Sequence, residues 1–118
     1  MNFKEHCEEC RAKLGRPYGM VHIWLDAYDG KKGRDKDGEY DYTGINCIKH
    51  REKRHHNVGI MECEKHFFKK YEKRLGREFA EKIIPQIVEA AELHIISDMG
   101  YIPAKEEYEN PWFWRKSE

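Results

Sequence analysis

The sequence contains no long apolar run, since no stretch approaches the roughly 18 consecutive apolar residues that a membrane-spanning helix requires. It also has no net charge, because its 22 Lys and Arg residues are balanced by 22 Asp and Glu residues. A chain without an overall positive field is not drawn to nucleic acid or to an anionic membrane, so we expect neither as a partner. The N-terminus lacks the apolar core of a signal peptide, which predicts a cytoplasmic protein with no disulfides among its four cysteines.

Three common catalytic signatures are also missing: the P-loop, the dinucleotide-binding glycine pattern and the serine nucleophile elbow. Nucleotide hydrolysis by those routes is therefore unsupported. What is present is a polar but aromatic-rich composition, 39% hydrophobic, 37% charged and 13% aromatic, which is typical of a folded globule rather than a disordered tail. The 118 residues suit one domain with one core, so we predict a single domain over residues 1–118.

Apolar residues recur every three or four positions along much of the chain, which predicts an all-α fold. We expect a small single-domain bundle of about four helices. The predicted helices cover residues 3–14, 20–28, 46–75 and 86–99. Gly15, Gly76 and Gly100 directly follow three of these segments, as is common at helix C-termini. Gly59 interrupts the third segment and predicts a kink or a close backbone approach there.

Two segments depart from the helical pattern. Residues 29–44 hold Gly30, Gly33, Gly38 and Gly44 among alternating charges. They have no apolar face, which predicts a long, mobile, Gly-rich loop of the kind that covers a site. Residues 101–118 combine prolines with tyrosine, phenylalanine and tryptophan. This composition favours an extended aromatic tail that packs across the bundle as a strap.

The most informative pattern is a repeated pair of histidine and aspartate four residues apart, His22 with Asp26 and His94 with Asp98. On a helix, residues at this spacing share a face. The second pair continues an apolar stripe that includes Ala91, so it is predicted to face the core. A buried imidazole or carboxylate must be hydrogen-bonded, ion-paired or bound to a metal to offset its desolvation. Each pair therefore predicts either a metal ligand set or a buried hydrogen-bond network.

A basic run at residues 50–56 offers further groups. On a straight helix His56 shares the apolar stripe and His50 flanks it, so both are predicted to point inward, whereas the direction of His55 stays open. Arg51 and Arg54 are predicted to hold a phosphate or carboxylate of a small anionic substrate, and a solvated basic face is the alternative.

These residues together predict a metal-binding protein that is either non-catalytic or a metal-dependent hydrolase. Mixed imidazole and carboxylate ligands suit Zn, Mn, Fe or Ni. In a hydrolase the ion lowers the pKa of a bound water, and a carboxylate accepts its proton. The predicted metal ligands are His22, Asp26, His50, His56, His94 and Asp98. The predicted catalytic residues are Asp26, Asp98, Arg51 and Arg54.

Two alternatives use the same chain differently. In the first, the histidines and aspartates form a non-catalytic buried network, and the aromatic tail contacts a partner, including a second copy in a homo-oligomer. In the second, Cys7 and Cys10 combine with Cys63 and His66, because two pairs at three-residue spacing can supply a structural zinc site. Buried cysteine that acts only as a small apolar side chain is the more common outcome.

Three blocks of the chain also carry a resemblance to a known family. They are His22-Ile23-Trp24-Leu25-Asp26, the segment from His50-Arg51 through Arg54-His55-His56 to Gly59-Ile60, and the segment from Glu92 and His94 through Asp98 and Gly100 to Ile102-Pro103. The combined pattern resembles that of small, His-rich helical proteins of bacteria and phages that have no established activity. The resemblance spans residues 6–103 and implies a helical domain in which the three blocks meet. The Gly-rich segment and the three cysteines of the zinc alternative are departures from the family pattern.

Overall fold

The computed structural model describes residues 2–26 and 53–109. These residues contain no strand, so the predicted all-α fold is confirmed. The helices in this part of the chain include α1 (Phe3–Leu14), α2 (Gly19–Leu25), α3 (Asn57–Leu75), α4 (Arg77–Met99) and a 3-10 helix (Lys105–Glu109). The predicted Gly-rich loop at 29–44, the predicted helix start near residue 46 and the tail beyond residue 109 lie outside the described residues.

The first helix has the predicted bounds, and its ends explain why. The Asn2 side chain accepts a hydrogen bond from the Glu5 backbone N–H, and the Glu5 carboxylate accepts one from the Asn2 N–H, which forms a capping box. At the other end Gly15 adopts the left-handed conformation with φ 86°, and its N–H donates to the Arg11 carbonyl. Both ends are thus determined by local sequence.

The fourth helix begins earlier than predicted. It starts at Arg77, directly after Gly76, and contains Pro85 in its interior. The predicted start at residue 86 was therefore wrong. Proline removes one backbone donor from the helix. The buried side chains of Ala80 and Ile84 precede it, and α3 and α4 form the most extensive helix contact among the described residues. Tertiary packing therefore extends the helix past a local breaker.

The predicted close approach at Gly59 is confirmed, although Gly59 lies in the first turn of α3 rather than at mid-helix. A Cβ atom placed there would lie 1.9 Å from the backbone oxygen of Arg54. Only glycine permits this contact between the chain before α3 and the helix itself. The approach directs residues 54–56 across the end of α4.

The apolar core lies along the facing sides of the helices. It includes Leu25, Phe67, Ile87 and Ile95, with Cys63 and other small residues among them. None of the described helices is both long and apolar enough to cross a membrane.

The described part of the C-terminal segment crosses the N-terminus of α3. The Pro103 carbonyl accepts from the Asn57 N–H at 2.9 Å, and the buried Tyr108 hydroxyl donates to the His55 carbonyl at 2.7 Å. Part of the segment forms the short 3-10 helix, so this portion is not fully extended. These contacts hold the chain around His55 in place.

Candidate metal centre

Four side chains meet where α2 and α4 end. Asp26 is the C-cap residue of α2, His55 lies just before α3, and His94 and Asp98 occupy the last turns of α4. One ligand atom from each lies within 4.8 Å of the others, and we call this group the His–Asp centre. The rings of His55 and His94 are fully buried, whereas the carboxylate side chains of Asp26 and Asp98 are 12% and 6% exposed.

Five of the six distances between the four ligand atoms are short and similar. His94 Nε2 lies 3.0 Å from Asp26 Oδ1, 3.1 Å from His55 Nε2 and 3.4 Å from Asp98 Oδ2. His55 Nε2 lies 3.5 Å from the same Asp26 oxygen and 3.3 Å from the same Asp98 oxygen. Four ligands at 2.0–2.1 Å from a tetrahedral zinc ion are separated by about 3.3–3.4 Å. These five distances are therefore close to the edge lengths of a tetrahedral zinc site.

Hydrogen bonds alone do not account for this packing. Each imidazole nitrogen carries at most one proton, so His55 Nε2 and His94 Nε2 can donate in only two of these five contacts. The other contacts bring lone pairs together, which is unfavourable in a buried site. A cation at the centre of the four atoms satisfies all of them.

The hydrogen bonds of His22 determine which nitrogen of His94 faces the centre. His22 Nε2 lies 3.0 Å from the Pro17 carbonyl, which only accepts, so this nitrogen carries a proton. Burial, with the neighbouring imidazoles of His94 and His6, lowers the pKa of His22 to about 4, so the ring is neutral near pH 7. His22 Nδ1 then accepts from His94 Nδ1 at 2.9 Å. This network assigns the lone pair of a neutral His94 to Nε2, toward the centre.

His6 from α1 completes the surroundings. Its Nε2 donates to Asp98 Oδ1 at 3.1 Å, and its ring stacks on His94 with centroids 3.8 Å apart. Burial alone would raise the pKa of Asp98, but the hydrogen bonds from His55 and His6 hold it well below its ordinary value. Asp98 is therefore an anion in the folded protein.

The backbone adds further negative potential at the centre. Asp26 caps the C-terminus of α2, and Asp98 precedes the last residue of α4. The C-terminus of a helix carries a partial negative charge that disfavours a carboxylate. Two carboxylates at two such ends require positive charge nearby, which makes the location suited to a cation and unsuited to an anion.

A second group of histidines also lies within ligand distance: His6, His22 and His94. The geometry of this second group is less suited to binding an ion than that of the His–Asp centre. The His6 and His94 rings are stacked with centroids 3.8 Å apart and an angle of 22° between their planes, so their lone pairs lie in separate, nearly parallel planes and do not converge well on one point. The short contact between His22 and His94 is accounted for by one N–H···N hydrogen bond. We interpret these residues as the support of the His–Asp centre.

The structure brings together four of the six predicted metal ligands. Asp26, His94 and Asp98 contribute ligand atoms to the centre, and His22 contacts it through His94. His50 lies outside the described residues, as does Arg51, the predicted anion-binding residue.

The prediction for His56 requires a correction. His56 is fully buried, but it is the N-cap residue of α3: its Nδ1 accepts from the Gly59 N–H at 2.9 Å, and its Nε2 donates to the Lys53 carbonyl at 3.0 Å. Both nitrogens thus bond to the local backbone, and the described geometry does not bring them into the centre. The error arose because the helical period was extended through residues that precede the helix.

Arg54 also has a different setting from the one predicted. Its guanidinium stacks over the Trp24 ring at 3.8 Å, and Nη1 donates to the Trp24 carbonyl near the end of α2. Burial lowers the pKa of Arg54 from its ordinary value. These contacts join the chain before α3 to α2, so Arg54 supports the position of its neighbour His55.

Sequence reasoning missed His6 and left His55 open. His6 has no aspartate or glutamate four residues away, and its contact with Asp98 joins residues 92 positions apart. The signal for His55 was its adjacency to Arg54 and His56 in a run of basic residues, which does not specify direction. The roles of both residues can be recognised only from the tertiary structure, in which the helices bring them to Asp98.

The cysteines are not assembled into a zinc site in the described ranges. None of the metal-compatible groups found there includes Cys7, Cys10, Cys63 or His66. Cys10 and Cys63 are buried in the apolar core, and burial raises their pKa values to about 11 and about 12. His66 stacks on Trp24 instead. The structure therefore does not support the cysteine alternative.

Comparison with known proteins gives one match. A family model described as Domain of unknown function (DUF6915) matches residues 39–113. Neither a curated protein nor a solved structure matches the chain. The matched range contains His55, His94 and Asp98, whereas His6, His22 and Asp26 precede it.

Proposed function

The chain belongs to the family described as Domain of unknown function (DUF6915), and we propose that this member binds one divalent transition-metal ion through Asp26, His55, His94 and Asp98. The observation that carries the proposal is the set of five ligand-to-ligand distances between 3.0 and 3.5 Å. Two imidazoles and two carboxylates exclude a preference for Mg²⁺ or Ca²⁺ and suit Zn, Mn, Fe or Ni. A set of four protein ligands favours Zn²⁺ among these ions, because zinc is typically four-coordinate in such sites.

The alternative is a metal-free network of hydrogen bonds. Three observations support the ion over the network. The five contacts outnumber the protons that the two ring nitrogens supply, the lone pair of His94 faces two carboxylates, and both carboxylates lie at negative helix ends. A proton at His94 Nε2 would relieve only part of this repulsion.

The proposed role of the ion is to join the helices. Its ligands come from α2, from the chain before α3 and from α4, and α1 reaches the centre through His6. The ligands are nearly buried, and a site with four protein ligands is typical of structural rather than catalytic zinc. Metal-dependent hydrolysis, which needs an open coordination position for water, stays a prediction.

The test is the metal content of the purified, tag-free protein, measured by elemental mass spectrometry, together with melting curves after chelation and after addition of Zn²⁺. We expect about one equivalent of metal per chain. We also expect Zn²⁺ to stabilise the chelated protein, by about 2.7 kcal/mol at a free concentration one hundred times Kd.

Variants identify the site. His94→Ala removes the ligand that contacts the other three, and Asp26→Asn removes a charge at the most exposed ligand; both are expected to lose the bound metal. His66→Ala is the matched control, because His66 is exposed and lies outside the centre. Full metal content in a folded His94→Ala or Asp26→Asn protein, or an absence of any Zn²⁺ effect on the wild type, would overturn the proposal.

A further inference from the structure

The two oxygens of Asp98 have different partners. Oδ2 faces His55 at 3.3 Å and His94 at 3.4 Å, as a metal ligand would. Oδ1 points the other way and accepts from His6 Nε2 at 3.1 Å. A carboxylate whose second oxygen is held by an N–H group presents a single oxygen to an ion.

His6 is held firmly for this contact. It is 1% exposed, and its ring stacks on His94 with centroids 3.8 Å apart. Its Nδ1 is buried without a hydrogen-bond partner among the described residues, and such an atom costs free energy. An apolar side chain would fill the position in α1 without that cost. The bond from Nε2 to Asp98 is therefore what a histidine supplies here.

We propose that His6 is a positioning residue that holds Asp98 as a single-oxygen ligand and so adapts the centre to four-coordinate ions such as Zn²⁺. This inference rests on the proposed metal site. A carboxylate with both oxygens free can bind through both, which raises the coordination number. Ions that favour six oxygen-rich ligands, such as Mn²⁺, gain from that freedom, whereas Zn²⁺ in a closed site does not. His6 thereby contributes to the choice of ion.

Two substitutions separate the hydrogen bond from packing. His6→Phe keeps a ring that can stack on His94 but has no donor. His6→Gln keeps an N–H donor and removes the ring. Each protein is chelated, loaded with Co²⁺ and examined by visible absorption, because four-coordinate Co²⁺ absorbs more strongly than the five-coordinate ion. Affinities for Zn²⁺ and Mn²⁺ are measured on the same samples by competition with a chelating dye.

We expect intense four-coordinate Co²⁺ bands in the wild type and in His6→Gln, and weaker bands in His6→Phe. Loss of an outer hydrogen bond of this kind lowers metal affinity by about 10–100-fold. Zn²⁺ affinity should fall by this factor in His6→Phe, while Mn²⁺ affinity falls less. Rescue by glutamine, which lacks the stacking ring, distinguishes positioning from packing.

The inference is overturned if a folded His6→Phe protein keeps the wild-type Co²⁺ spectrum and the wild-type ratio of Zn²⁺ to Mn²⁺ affinity. If His6→Phe does not fold, His6→Leu, which also lacks a donor and is closer to histidine in size, answers the same question. A wild type that binds neither Co²⁺ nor Zn²⁺ would instead refute the proposed metal site, so the two failures are distinguishable.

Discussion

Ile87 and His94 lie two turns apart on α4, and both are completely buried, yet they are stabilised in opposite ways. Ile87 belongs to the apolar core, where full burial of such a side chain contributes roughly 1.5–3 kcal/mol without requiring a particular partner. His94 belongs to the His–Asp centre, where each unsatisfied buried group costs about 1–3 kcal/mol. Loss of one core member should lower stability without leaving a polar group unpaired, whereas loss of one ligand leaves the other groups of the centre without a partner.

Truncation in the core should give the largest loss of stability that is independent of metal. Phe67→Ala leaves a cavity beneath Trp24 and Tyr71, and we expect it to lower the free energy of unfolding by about 3–5 kcal/mol. Denaturant titration measures this loss. The Phe67→Leu protein, expected to remain folded, should bind as much Zn²⁺ as the wild type. Loss of metal from Phe67→Leu would show that the two regions are not separable.

Acidification should destabilise the His–Asp centre and the histidines that support it, without affecting the apolar core. His22 has a pKa of about 4 when folded and an ordinary value of 6.5, so between these pH values the unfolded chain binds a proton that the folded protein does not. The free energy of unfolding should therefore fall with decreasing pH in this window, by about 1.4 kcal/mol per pH unit. Asp98, whose folded pKa is depressed, adds a further loss below its ordinary value of 3.8.

This pH dependence is measured by denaturant titration in the presence of a chelator, so that release of metal does not contribute. Phe67→Leu is the control and should show the wild-type slope, since it changes no titrating group. Constant stability of the chelated wild type from pH 7 to pH 4.5 would contradict the interpretation of His22 as a neutral, buried acceptor.

The smallest expected loss of stability comes from His56→Ala, and its comparison with His55→Ala tests the different roles of these two adjacent buried histidines. His56→Ala removes the N-cap of α3 and should cost about 0.5–2 kcal/mol without changing metal content. His55→Ala removes a proposed ligand and should abolish metal binding. Thermal unfolding and elemental analysis of both variants, measured side by side, test the distinction. Equal loss of metal in the two proteins would contradict this distinction and would indicate that His56 is also a metal ligand.

Local patterns predicted much of the fold. The bounds of α1 follow from Asn2, Glu5 and Gly15, which satisfy the helix ends through neighbouring residues. The end of α4 at Gly100 was predicted for the same reason. The start of α4 was not predicted. Packing of residues 77–84 against α3 outweighs the unfavourable effect of Pro85, and a local sequence pattern does not contain information about that packing.

The candidate site was predicted in part. His94 and Asp98 lie on one continuous helix, so their spacing alone places them on one face. The same rule failed at His55 and His56, because it assumed a straight helix where His56 has extended backbone angles (φ −159°) and caps the next helix. Because the helical period breaks there, His55 rather than His56 lies in the His–Asp centre, and His56 caps α3.

The sequence by itself determined which short-range features form: the helix caps, the His–Asp spacing on α4 and the glycine that allows the chain before α3 to approach it. The tertiary structure decided which distant groups join Asp98, since His6 and His55 reach it across 92 and 43 residues. Hydrogen-bond and ligand distances of about 3 Å depend on the relative placement of whole helices, and this placement is set by the packing of the entire core rather than by any local pattern.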